Sequence, residues 1–229
     1  MSRDDDIRPG LLGSMPISWL DQSEWIIEAR QARSRETFRK ILDAAVKLFV
    51  EKGFDGTTMA QIAAAAGIAP GSIYRRFADK EGLLNSVIDS YYRTRIDEFD
   101  RLVEERFRSL DTAEQILELY NRMIFSAYRK DRGLIRLVER RSHTDAGVRE
   151  KQRRSFVHVS SAIADVLAAA MPATTVEELR KQVLEWHLVQ RGILVSLILP
   201  DGTIEDAVLS LDDPTFEARV LSLSKAWIL

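Results

Sequence analysis

The chain has no cysteine, which excludes a disulfide framework, a thiol nucleophile and any cysteine-based zinc site, and fits a reducing compartment. Histidine is scarce as well: the three present, His143, His158 and His187, show no ligand spacing, so no metal site is expected. Long apolar runs are missing. The best candidate, "GILVSLILP" from Gly192 to Pro200, is half the roughly 18 residues that a bilayer span needs. The opening "MSRDDDIRPG" is acidic and has no hydrophobic stretch, unlike a secretory signal. The expectation is a cytoplasmic protein with no membrane partner. No serine–histidine–aspartate order sits on a strained turn, and no glycine loop is built to cradle phosphate, so neither an enzyme nor a cofactor is expected. No segment alternates with period two, which leaves no candidate strand.

What is present is an ordinary globular composition. Of 229 residues, 45% are hydrophobic and 30% charged, enough for a core without a metal or disulfide staple. Lysine and arginine number 33 against 35 aspartates and glutamates, a net charge of −2, which argues against indiscriminate nucleic-acid binding. The distribution is uneven. Residues 33–80 hold nine basic and five acidic side chains, a local +4, the footprint of a small positive patch on an acidic body.

Helical signals fill the chain, and the expected fold is all-α. Residues 1–32 form an N-terminal extension. Asp21 and Glu24 stand there at capping-box spacing, so a short helix anchored by Trp25 is expected. Residues 33–82 form a compact three-helix unit. In "SRETFRKILDAAVKLFVEKGF", Phe38, Ile41, Ala45, Leu48 and Phe49 recur at steps of three and four on one face. Gly53 follows where a left-handed cap is wanted. Thr58 and Gln61 make a capping box for a second, short helix that Gly67 ends. Pro70 opens a third, in the first turn where its missing N–H is harmless. Long helix, short helix, three-residue turn, short helix is a helix-turn-helix. Residues 83–229 read as a larger helical body, with helices expected over 81–108, 112–128, 133–141, 147–171, 176–199 and 214–228.

In the third helix Ile73 and Phe77 are four apart and apolar, so they face the core. That phase turns Gly71, Ser72 and Arg75 outward and puts Tyr74 and Arg76 on the shoulders. Pro70, Gly71 and Ser72 are small enough to let a backbone enter the major groove. Arg75 can fork onto a guanine edge, while Tyr74, Arg76 and Lys80 can bond phosphates. The amides opening the second helix, with the Thr57 and Thr58 hydroxyls, offer a further phosphate site.

The stretch "ILDAAVKLFVEKGFDGTTMAQIAAAAGIAPGSIYRRFADKEGLL" resembles the TetR/AcrR family of transcriptional regulators. The likeness runs from about Arg35 to Leu84. It implies a homodimeric, ligand-responsive repressor on a palindromic operator. Its phosphate contacts would fall on Thr58, Tyr74, Arg76 and Lys80, and its base-reading positions on Pro70, Gly71, Ser72 and Arg75. Two positions depart from the family pattern: Ala69 stands where serine is common, and Arg76 where histidine or tyrosine is usual. Upstream, Arg30, Arg33 and Arg35 form either a basic arm for the minor groove, as in some members, or a solvated charge run. An activator, or an interaction protein with no effector, is the alternative reading.

The body behind the helix-turn-helix is larger than DNA binding alone needs. "GILVSLIL" is apolar all round, so burial on every side is expected. In the last helix Phe216, Val220, Leu223 and Trp227 form a stripe. With Ile193 and Leu197 this face suits a four-helix dimer interface, or else burial within one subunit. An effector pocket is expected among the middle helices. Its candidate lining is Phe125, Tyr128, Phe156, His158, Trp186, His187 and Gln190, each of which could equally be plain core. His187 and Gln190 stand out as polar groups on an apolar helix that need partners if buried. Arg136, Arg140 and Arg141 would bind an acidic effector or pair with nearby carboxylates.

Overall fold

The computed structural model describes residues 32–199 and 210–229. The expected Asp21–Glu24 cap, its helix, Trp19, Trp25 and Arg30 lie outside them. Among the described residues there is no strand, and nine α-helices are joined by short turns. The chain divides into two compact units, Met1–Arg95 and Ile96–Leu229.

The first unit is built on α1 (Ala32–Lys52), α2 (Met59–Ala65), α3 (Pro70–Tyr74) and the opening of α4 (Lys80–Glu105). Its core is the apolar face expected of α1, where Phe38, Ile41, Ala45 and Phe49 are buried, joined by Ile62, Ala63, Ile73 and Phe77. The Phe38 and Phe77 rings stack at 5.3 Å, a contact that fastens the end of α3 to α1. Thr58 caps α2 by accepting from the Gln61 amide, and Gln61 returns a bond to the Thr58 amide. A cap of this kind is worth about 1 kcal/mol, enough to hold a helix of barely two turns. Gly53 and Gly67 end their helices at φ of 76° and 67°, a left-handed backbone that a side chain would strain.

The second unit holds the rest of α4, a 3-10 turn at Phe107–Ser109, α5 (Ala113–Lys130), α6 (Arg132–Thr144), α7 (Ala146–Ala170), α8 (Val176–Ile198) and α9 (Pro214–Ile228). α8 packs on α7 and α9, and α5 on α9, α7 and α6. Between α6 and α8, Arg191 forms an ion pair with the buried Glu139, and Gln152 donates to the same carboxylate at 2.9 Å. Asp145 caps α7 by accepting from the Gly147 and Val148 amides. Those amides and Arg141 hold its carboxyl below the usual range.

Two expectations about this unit need correction. In "GILVSLIL" only Leu194 and Ile198 are buried, while Ile193, Val195 and Leu197 are half-exposed and Gly192 and Ser196 exposed. One phase of α8 faces the core and the rest remains open. In α9 the buried phase is Phe216, Val220, Ser224 and Ile228, at steps of four. Phe216 packs edge-on against Phe125 at 5.6 Å. Phe216 and Val220 therefore belong to their own subunit's core. Leu223 and Trp227, 54% and 47% exposed, do not.

Candidate nucleic-acid interface

α3 is short, and its core side is saturated: Ile73 and Phe77 are fully buried. The opposite side carries what is left. Pro70, Gly71 and Arg75 are exposed, Tyr74 is 52% exposed, and Ser72 and Arg76 are half-buried. A Cβ added at Gly71 would meet nothing within 4 Å. No internal contact therefore requires glycine there, and the bare backbone faces outward. Ser72 gathers both arginines: the Arg75 Nη2 donates to its hydroxyl at 3.1 Å, and the Arg76 Nη1 to its carbonyl at 3.3 Å. Desolvation, then the neighbouring Arg75 charge, lowers the Arg76 pKa. Thr58, the N-cap of α2, is exposed as well.

Other expected members stand elsewhere. Thr57 is fully buried; its hydroxyl lies 2.8 Å from the Gly53 carbonyl and 3.1 Å from that of Leu48. With its one proton shared between them, it is a tie inside the fold and does not reach solvent for a phosphate. Arg35 sits half-buried within α1, which already begins at Ala32, so it is a helical residue and not part of an extended arm. The Arg33 backbone is in the same first turn, and its side chain lies outside the described residues. Lys80 turns inward: its ammonium donates to the Phe54 carbonyl at 2.7 Å and the Thr57 carbonyl at 2.8 Å, and lies 4.3 Å from the centre of the Phe54 ring. Nothing local in the sequence marks Phe54 and Thr57 as its partners, because the bonds span 26 and 23 residues.

The expected effector-pocket residues do not form one set. Phe156 stacks on His187 at 3.8 Å, and Tyr120 meets the same ring edge-on. Ser160 hydrogen-bonds His187 Nδ1 at 2.9 Å, and the Gln190 amide donates to Asn121 at 2.8 Å. Trp186, His187 and Gln190 are buried on α8. Phe125, by contrast, packs on Phe216, and His158 is an exposed partner of Asp100 at 2.6 Å. Tyr128 is half-buried. Tyr120, Asn121 and Ser160 were not among the expected residues, although each occupies an inward phase of its helix, a signal the sequence carries. Burial, then the Arg191 charge, pushes the His187 imidazole down to about 3, so this polar cluster is neutral around pH 7. Tyr120 Oη, Trp186 Nε1 and Gln190 Oε1 are buried without a hydrogen-bond partner. Of the α6 arginines singled out, Arg136 donates to the Ile198 carbonyl at 2.6 Å, Arg141 pairs with Asp145, and Arg140 is exposed.

Residues 41–87 match the family model for bacterial regulatory proteins of the tetR family. The chain is 31% identical over 102 residues to the fatty acid metabolism regulator protein of Bacillus subtilis, covering 44% of this chain and 50% of that one. It is 41% identical over 54 residues to the transcriptional regulator AcrR of Shigella flexneri, covering 24% and 25%. The chain thus spans half or less of the length of these relatives. The fold matches more completely. A tetR-family regulator from Mesorhizobium loti superposes with a TM-score of 0.70 at 20% identity, over 87% of this chain and 97% of that one. The regulator FadR of Bacillus subtilis, crystallised with stearoyl-CoA, does so with a TM-score of 0.61 at 21% identity, over 84% and 100%. The helix-turn-helix that presents Gly71, Tyr74 and Arg75 thus lies within a tetR-family domain match, and the helical chain shares its fold with tetR-family structures.

Proposed function

We propose that the chain is a cytoplasmic repressor that binds a palindromic operator as a homodimer and releases it on binding a small molecule. The observation that carries DNA binding is the outer face of α3. Tyr74 and Arg75 are exposed beside a Gly71 that no internal contact requires, as expected where a backbone approaches a groove. Arg75 reads a base edge, and Thr58, Tyr74 and Arg76 bond phosphates. One five-residue helix covers too little DNA for specific binding, so a second copy must supply the other half-site. Leu223 and Trp227 on α9, with Leu188 and Val189 on α8, are exposed apolar side chains suited to that contact, and half-exposed Ile193 and Leu197 extend it.

The effector would bind in the second unit at the Tyr120–His187–Gln190 cluster. Two buried polar atoms there, Tyr120 Oη and Gln190 Oε1, lack partners, each a cost of about 1–3 kcal/mol that a ligand or water would relieve. Long-chain acyl-CoA thioesters are the first class to assay, because the similar FadR was crystallised with one. The cluster is neutral, which suits the thioester carbonyl.

The test is fluorescence anisotropy with duplexes from the DNA flanking the chain's own gene, with and without palmitoyl-CoA. Binding that weakens with salt is expected on one duplex in preference to shuffled controls, and it should fall when the acyl-CoA is added. Absence of binding at low ionic strength would refute the regulator reading. Equal affinity with and without acyl-CoA would refute this effector class alone.

A further inference from the structure

Outside the DNA-binding unit, positive charge collects in one place. Residues 140–154, from the end of α6 into α7, hold six arginines and lysines against two carboxylates, a local +4, while the rest of residues 81–229 sums to −7. The two carboxylates are already engaged. Asp145 caps α7 and pairs with Arg141 at 3.5 Å, and Glu150 is shared by Arg153 at 2.8 Å and Arg154 at 2.7 Å. Arg140 and Arg149 are exposed, and no carboxylate among the described residues lies within ion-pair distance of either.

On α7 this charge borders the polar cluster of the core. Arg149, Arg153 and Val157 recur at steps of four and are all exposed. The adjoining row, Gln152, Phe156 and Ser160, leads inward: Gln152 donates to the buried Glu139 at 2.9 Å, Phe156 stacks on His187 at 3.8 Å, and Ser160 hydrogen-bonds His187 at 2.9 Å. Residues three apart are neighbours on a helix, so Arg153 stands beside Phe156. Like charges four apart, as in Arg149 and Arg153, destabilise an isolated helix. Two guanidinium forks side by side are, however, well matched to phosphate oxygens.

We infer that the α6–α7 corner is a polyanion subsite: Arg149 and Arg153 hold the phosphate groups of an effector whose acyl part passes Phe156 into the Tyr120–His187–Gln190 cluster. The inference rests on the effector reading above and narrows it to an acyl group carried by a headgroup with more than one phosphate. A neutral cluster accepts any ester. The corner is what distinguishes a CoA thioester from a free fatty acid or an uncharged ester, which would leave it unfilled.

The test is isothermal titration calorimetry of wild type and Arg149→Gln/Arg153→Gln with palmitoyl-CoA and with the phosphate-free S-palmitoyl-N-acetylcysteamine. Arg149 has no ion pair to lose and Glu150 keeps Arg154, so the variant should melt with wild type. Arg180→Gln/Lys181→Gln, which removes two exposed charges from α8, controls for net charge. The Arg149/Arg153 variant should bind palmitoyl-CoA about tenfold more weakly at low salt, as for the loss of charge-assisted bonds, with the gap closing as salt screens the pair. It should bind the phosphate-free thioester as wild type does, and the control should match wild type for both. Equal loss for the two thioesters, equal loss in the control, or no loss would each overturn the subsite. A matching loss of affinity for a 30-base-pair duplex would overturn it in favour of a DNA-backbone contact. Palmitoyl-CoA that binds through the corner without releasing the operator would refute the effector reading and leave the subsite standing. Release of the operator by palmitoyl-CoA, undiminished in the variant, would do the reverse. If wild type binds neither thioester, both fail.

Discussion

At the scale of the residue, Gly71 and Ser72 carry the sharpest expectations. Gly71 has free space around its would-be Cβ, so Gly71→Ala should leave the melting temperature within a degree or two, since surface changes of this kind stay within about 0.5 kcal/mol. Operator affinity measured by anisotropy should nonetheless fall several-fold, because the added methyl stands where DNA approaches. Equal affinities would remove Gly71 from the interface. Ser72 holds both Arg75 and Arg76 in the free molecule. A guanidinium facing a wrong base can return to Ser72 instead of being left unpaired, which softens the penalty that normally gives arginine its discrimination. Ser72→Ala should therefore widen the affinity gap between operator and single-base variants at the Arg75 position, as read in competition assays. The phase of α3 was legible in the sequence because Ile73 and Phe77 four apart define an inward side. The inward turn of Lys80 and the burial of Thr57 were not, because both depend on contacts with the distant corner at residues 48–57.

At the scale of the element, α9 separates two roles that a count of apolar residues merges. A step from Val220 to Leu223 or to Ser224 looks equally helical in the sequence. Only packing against α5 and α8 selects the 216–220–224–228 phase and frees 223 and 227. Phe216→Ala should thus behave as a core mutation, costing about 3–5 kcal/mol in urea denaturation. Leu223→Asp should fold normally and run as a monomer by light scattering. If it remained dimeric, α9 would not be the contact. The capped starts of α2 and α9 follow the opposite rule. Thr58 with Gln61, and Pro214 opening α9, act within one helical turn, so the sequence already disclosed them and the boundaries agree with the structure.

At the scale of the whole molecule, stability should depend on pH in one direction through His187. Its folded-state value of about 3 lies below the ordinary 6.5 of the unfolded chain. Below pH 6.5 the unfolded chain takes up a proton that the folded one refuses. Stability from this site is therefore complete above pH 6.5 and is lost as pH falls toward 3, at up to about 1.4 kcal/mol per unit. Urea midpoints from pH 8 to 5 should fall in wild type and fall less steeply in His187→Gln. Parallel curves would show that His187 is not buried as described. The two tryptophans at the α8–α9 contact have a consequence of another kind. Trp186 is sealed in the core, while Trp227, its ring 6.2 Å away, is half open to water. If two subunits meet on α9, Trp227 leaves water while Trp186 sees no change. Fluorescence emission should then move to the blue as protein concentration rises, and Trp227→Phe should abolish the shift. The fold thus carries its own optical gauge of subunit pairing, one that needs no added dye.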